Sequence, residues 1–455
     1  MPFDGFPPEI IQRIFSLCCG RVAFIVPPFD DSMRSGTTQV TLSLVCSRWR
    51  EIALNTSTLW GDVMVRYYPR RKPARGPTAS FQFVQDWLIR AGVTPISLYI
   101  YVYGALESEI AAISQTLLSS FHITNLELES VECHRFLLPT NNSYYLERLH
   151  LTLDAELSVP IDAFPPLPEM PSLKELCLCL DLNFFRDLRD IYAIPWHQLR
   201  VLNLCGNTWP SQILFNILQQ CKSLVGCNLL VKLQSRQHEH DIVLPNLESL
   251  VIEIDSTGSA DPIIWSLTLP NLRSLNIRFS NQFETKLSLS PDAIVTMAQR
   301  SGFNKHLSFF SLCLMKQPVD VRSLLGTMPA LKRVQLHGPL MFQPGTFDDL
   351  SSGTIGPQLE EIRFGIISNK EIGLLLETVG QRHEKAKAVP DIRPFASVTC
   401  SASGSELKSH QQRAKQCSEA FNADVAILMA TSDDGSDWES DQDVGEESDS
   451  GPDAA

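Results

Sequence analysis

Ten times between residues 123 and 364 the chain repeats one apolar spelling, Leu-x-x-Leu-x-Leu, with other apolar residues admitted. The copies are Ile123/Leu126/Leu128, Leu146/Leu149/Leu151, Leu173/Leu176/Leu178, Leu199/Leu202/Leu204 and Leu224/Cys227/Leu229. They continue as Leu247/Leu250/Ile252, Leu272/Leu275/Ile277, Leu307/Phe310/Leu312, Leu331/Val334/Leu336 and Leu359/Ile362/Phe364. Successive copies start 23, 27, 26, 25, 23, 25, 35, 24 and 28 residues apart. Chance clustering does not hold such a period, and a fixed period of this size marks a stacked repeat architecture. The second half of each copy alternates with period two, as a strand does. Helical periodicity between copies predicts helices over Ser211 to Cys221, Pro291 to Arg300, Val319 to Leu325 and Lys370 to Arg382. The long interval, around Ser280 to Ser290, predicts a projecting loop.

Energetics explain why the copies come as a set. One copy buries about three large apolar side chains, each worth roughly 1.5–3 kcal/mol. Ordering its backbone costs on the order of 1 kcal/mol or more per residue, so a lone copy loses. Stacking shares the core between neighbours and pairs their strands in parallel. The expected fold is therefore α/β: a solenoid over 123–385, with a parallel sheet on its concave side and helices on its convex side. Two copies share a lead-in, Leu244-Pro245-Asn246-Leu247 and Leu269-Pro270-Asn271-Leu272, whose proline stops a preceding helix from running on.

Residues 63–122 read as a linker with a strand and helix capping the array. Val63 to Tyr67 alternates as a strand, Pro69 to Pro77 reads as an exposed basic loop, and Phe81 to Ala91 as an amphipathic helix. Ile96 to Val102 and Glu107 to Phe121 read as a strand and a helix. Past Lys385 the spelling stops. Residues 386–430 read as loosely ordered with one helix inside Glu406 to Met429, and 431–455 as a disordered acidic tail.

Residues 1–62 follow a different pattern. Pro7-Pro8-Glu9 opens a helix whose Ile10, Ile11, Ile14, Phe15 and Cys18 form a wide apolar face. Leu42, Val45, Cys46, Trp49, Ile52 and Ala53 again fall at helical spacing, with Thr41 a candidate N-cap, and Leu59-Trp60 closes the stretch. Two short helices bury too little surface to stand alone, so they dock on the chain, on a partner, or on both. These residues resemble an F-box: a hydrophobic-Pro-x-Glu-Ile opening, Ile-Phe in the first helix, Val-Cys-x-x-Trp-x-x-Ile-Ala, and a terminal Leu-Trp. Phe6 stands where the family usually has Leu, and Gly20 to Gly36 is longer than the family's usual loop. The array behind it resembles the degenerate leucine-rich repeats that often follow an F-box.

The resemblance implies a substrate-receptor subunit of an SCF-type (Skp–cullin–F-box) ubiquitin ligase. It would bind a Skp-family adaptor, and through it a cullin, by Phe6, Pro7, Ile10, Ile14, Val45, Trp49, Leu59 and Trp60. A protein substrate would meet outward positions of the repeat strands, among them Arg148, His150, Asn203, Glu253, Arg278, Gln335, His337 and Arg363. The other reading is a leucine-rich-repeat interaction scaffold with no ligase role, its N-terminal helices only capping the array.

Charge and composition narrow the classes. The net charge of −13 comes mostly from ten acids between Asp433 and Asp453; the rest carries 41 acids against 38 bases. A nearly neutral body with no basic stripe argues against nucleic acid as a partner. No secretory signal or membrane-length apolar run appears, so the expected compartment is cytoplasmic or nuclear. The 12 cysteines are scattered, with no Cys-x-x-Cys and no zinc spacing. No phosphate loop, dinucleotide fingerprint or nucleophile elbow is present. His238-Glu239-His240-Asp241 lacks further ligands and reads as a polar loop. No catalytic residue, metal or cofactor is expected; the chain reads as a binding subunit rather than an enzyme.

Overall fold

The computed structural model describes residues 5–26, 37–68, 77–103, 107–130, 144–153, 169–180, 194–233, 241–254, 258–279, 287–313, 318–403 and 406–430. The chain forms two compact units, Met1–Arg278 with Leu287–Ser311, and Phe279–Lys286 with Leu312–Ala455.

The first unit is α/β, built on an open parallel sheet. Its first eight strands are β1 (Val22–Val26), β2 (Asp62–Tyr67), β3 (Ile96–Val102), β4 (Ile123–Ser130), β5 (Arg148–Leu153), β6 (Glu175–Leu180), β7 (Val201–Pro210) and β8 (Gly226–Lys232). They pair in chain order, each parallel to the next. Ser249–Ile254 pairs with β8, and Ser274–Phe279 and Phe309–Leu312 follow. Sheet order equal to chain order is the topology of a solenoid. The second unit continues the same rule on its own strands: Arg333–Leu336, Glu361–Ile366, Ser397–Ala402 and Asp424–Met429 pair successively in parallel.

The repeat positions do what their spelling requires. The first apolar residue of every copy, from Ile123 to Leu359, is no more than 3% exposed. The lead-in has a second role besides proline's: its asparagine reaches back one copy. Asn246 Nδ2 donates to the Lys222 carbonyl at 3.0 Å and Asn271 Nδ2 to that of Pro245 at 2.7 Å. Each bond satisfies a backbone oxygen that the turn leaves without a ladder partner. The expected helices form as Ser211–Leu218, Pro291–Ser301, Val321–Gly326 and Asn369–Ala388. The last carries a capping box, Ser368 with Glu371. Its Arg382 is fully buried, and its guanidinium donates to the carbonyls of Leu350, Gly356, Pro357 and Arg393. Burial pushes its pKa down to about 10, so the cation persists at neutral pH, held by carbonyl dipoles.

Three expectations are corrected. The sheet begins at Val22, not Ile123: β1, β2 and β3 are full members, with helix α4 (Pro77–Leu88) between β2 and β3 and α5 (Glu107–Ile113) between β3 and β4. These early strands alternate without the extra residue of the later spelling. The register between β3 and β4 shifts between Ile96 and Ser97, where that residue enters. Residues 386–430 are not loosely ordered. They hold a strand, the helix Leu407–Phe421 and a second strand. Their inward positions are Val398, Cys400, Ala402, Val425 and Ile427, none of them a leucine. Finally, the long interval includes Leu287–Ser288, which pairs with Gly258–Ser259. Residues 280–286, the His238–His240 cluster and the acidic tail lie outside the described residues.

Candidate partner-docking site

The N-terminal helices are α1 (Pro8–Cys18), α2 (Thr38–Val45) and α3 (Ser47–Asn55). The second half of the segment is thus two helices rather than one. Cys46 is extended (φ −160°, ψ 171°), and its Sγ accepts from the Trp49 amide at 3.4 Å, capping α3. Thr37, not Thr41, caps α2. The long segment between the halves also contains β1, so the helices are spliced into the sheet. The completely buried Gln39 amide ties the segment shut, donating to the carbonyls of Gly20 and Leu59.

Helix α1 is apolar on two sides. Ile11 and Phe15 are at most 1% exposed and face inward, where Phe15 meets the Trp49 ring edge-on at 5.1 Å. Ile10, Ile14 and Leu17 recur at i, i+4 and i+7 on another stripe, and are 47%, 36% and 73% exposed. Phe6 and Pro7, just before the helix, and Val45 and Leu44 at the end of α2 are exposed too. Scattered exposed apolar residues are ordinary; a whole helical stripe of them is not.

Of the eight residues expected to meet an adaptor, Phe6, Pro7, Ile10, Ile14 and Val45 are exposed, and Trp49 is half-buried. Leu59 and Trp60 are corrected: they are 5% and 1% exposed and belong to the core. Trp60 donates its indole N–H to the Ala53 carbonyl at 3.0 Å and packs on Trp87 of α4 at 4.7 Å. A large aromatic with a polar edge fills the junction between helices and sheet, and both of its needs are met internally. Leu17 and Leu44 were missed. Their spacing with Ile10, Ile14 and Val45 carried the signal, hidden because Ile11 and Phe15 made one apolar face seem sufficient.

The second set of candidates lies on outward positions of the strands. Strand register aligns Tyr99, Glu127, His150, Cys177, Asn203 and Asn228 in one row. Arg148 sits two residues before His150, and its Nε pairs with Glu175 Oε2 at 3.0 Å. His150 Nδ1 faces Glu127 Oε2 at 3.5 Å, and Tyr101 Oη donates to Glu127 Oε1 at 2.8 Å. Burial lowers the His150 pKa, but hydrogen bonds to Cys177 and Glu127 outweigh it and push it up to about 10. The same bond from His150 holds the Glu127 carboxyl below its usual range. Asn203 Oδ1 is buried with no partner among the described residues. Glu253 and Arg278 are half-buried on their strands. In the second unit Gln335 and Arg363 are register partners, and His337 follows at the end of its strand. Five of the eight thus lie in the first unit and three in the second. Tyr99 and Tyr101 were missed because β3 was not read as part of the array, and Glu127 because the outward positions of the first copy, β4, were passed over. Arg21 stacks on Tyr99, its Cζ 3.4 Å from the ring centre, which extends this row to the N-terminal segment.

No helix among the described residues is long and apolar enough to cross a membrane. No protein-family model matches the chain, and no curated protein matches it.

Proposed function

We propose that this protein is a substrate-receptor subunit of an SCF-type ubiquitin ligase, binding a Skp-family adaptor through its N-terminal helices and a protein substrate through outward strand positions. One observation carries the reading: α1 closes its own core with Ile11 and Phe15, yet still presents Ile10, Ile14 and Leu17 outward, beside Phe6 and Pro7. An α-helix that served only as a cap would put polar residues there. The chain's part in the chemistry is positioning: it holds a substrate lysine near the ubiquitin thioester carried by other subunits, a proximity effect. Leu59 and Trp60 hold the helices on the sheet and contribute to binding only through that.

The scaffold reading also has an observation in its favour, since β1 and Trp60 weld the helical segment to the sheet. Deleting residues 1–60 therefore destabilises the sheet under either reading, and binding has to discriminate. The test is co-purification of the full chain with a Skp-family adaptor and a cullin. Recovery of both, lost in Ile10→Asp/Ile14→Asp, supports the proposal. A folded wild-type chain that recovers neither refutes it.

A further inference from the structure

The outward face of β5, β6 and β7 gathers four groups with affinity for soft metals. His150 lies on β5, Cys177 and Cys179 on β6, and Cys205 on β7. The repeat period brings them together: His150 is in register with Cys177, and Cys179 with Cys205. Cys177 Sγ is 3.8 Å from both Cys179 Sγ and Cys205 Sγ, and Cys179 Sγ is 3.7 Å from His150 Nε2. The donor atoms of His150, Cys177 and Cys179 lie within 4.8 Å of one another. A tetrahedral zinc ion with Zn–S bonds of about 2.3 Å sets its sulfurs about 3.8 Å apart. Cys179 and Cys205 are joined as a disulfide in this structure, and Thr152 Oγ1 sits 3.2 Å from His150 Nε2.

The surroundings suit a ligand set. His150 Nδ1 faces Glu127, which Tyr101 holds from its other oxygen. A carboxylate behind the distal nitrogen is what orients a metal-binding imidazole. Directly after Cys205, Gly206 takes φ 84°, and a Cβ there would come within 3.0–3.2 Å of Cys179. The strand then departs from register between Leu204 and Trp209. The glycine lets the β7 backbone come close against Cys179.

We propose that in the reduced chain His150, Cys177, Cys179 and Cys205 bind one zinc ion, and that the Cys179–Cys205 disulfide is the metal-free form of the same site. A peroxide interconverts them in one direction. The two thiolates give up two electrons and form the S–S bond. Hydrogen peroxide takes those electrons with two protons and leaves as two waters. Zinc, left with two protein ligands, departs. A thiol reductant reverses the sulfur step. His150 is then a metal ligand and not a substrate contact. The inference does not depend on the ligase reading.

Metal binding to the full-length chain, kept reduced, tests it. The expected result is one zinc per chain with sub-micromolar affinity, and a cobalt-substituted form with a tetrahedral thiolate spectrum. Cys177→Ser/Cys205→Ser is expected to weaken zinc binding about 100-fold or more, and Glu127→Ala about ten-fold through the imidazole. Equal zinc retention by wild type and the double serine variant, or an octahedral cobalt spectrum, overturns the proposal. If the double variant folds poorly, the wild-type chain supplies the second arm. Hydrogen peroxide should release one zinc as the Cys179–Cys205 disulfide appears in a peptide map. Zinc retained through formation of that disulfide overturns it equally.

Discussion

The outward stripe of α1 and the outward face of β3 to β7 are both open to solvent, yet they are built by opposite rules. The helix stripe is Ile10, Ile14 and Leu17, with Phe6 and Pro7 leading in. The strand face pairs Tyr101 with Glu127 and Arg148 with Glu175, groups that already bond each other. Apolar surface gains from any complementary apolar partner, so the stripe suits a constant partner. A polar face must exchange its internal bonds for a ligand's, and each bond not replaced costs about 1–3 kcal/mol, so that face suits discrimination. On the proposed function, one chain separates a generic attachment from a selective grip.

The largest effect should come from the seam that both surfaces share. Trp60→Ala empties the contact with Trp87 and removes the bond to Ala53, and should cost about 3–5 kcal/mol in a denaturant titration. Adaptor binding would then fall with the folded fraction and recover under stabilising conditions. Next, Ile14→Asp should weaken adaptor binding by about 2 kcal/mol or more while the melting curve stays put. A comparable loss of stability would mean the stripe is core, and the contrast between the two faces would collapse. Arg148→Ala, which breaks an exposed ion pair with Glu175, should change stability by no more than about 1 kcal/mol. It should leave adaptor affinity unchanged, as calorimetry would report. The smallest signal is chemical. Alkylation of the native, reduced and metal-free chain should label Cys18 and Cys177 well before Cys221, Cys227 and Cys400. Burial pushes the Cys221 and Cys400 thiols up to about 12, and Cys227 upward as well, so little reactive thiolate forms.

The leucine spelling made the middle of the array legible because large apolar side chains must recur wherever strands stack. It failed at both ends for different reasons. Near β3 the spelling loses one residue, and near Ser397–Ala402 the inward side chains shrink to Val398, Cys400 and Ala402. Both changes leave the alternation intact, so period two was the sturdier signal. The stripe on α1 was half legible. Ile10 and Ile14 stood out as apolar, but periodicity does not say which of two adjacent apolar faces turns inward. Leu59-Trp60 carried the resemblance to a family motif and proved to be packing. Arg382 entered only as the end of the helix expected over Lys370 to Arg382; only the fold brings carbonyls to it. The thiol–imidazole cluster was hidden because its register partners are 27 and 26 residues apart along the chain, a distance that only strand register closes.

The central claim is that the stripe on α1 is a binding surface and not a cap. Titration calorimetry of the full-length chain with a purified Skp-family adaptor, comparing wild type with Ile10→Asp/Ile14→Asp, addresses it most directly. The account predicts tight one-to-one binding by the wild type and none by the variant, with both chains melting at the same temperature. Equal binding by the two, or no heat from a folded wild-type chain, would contradict it.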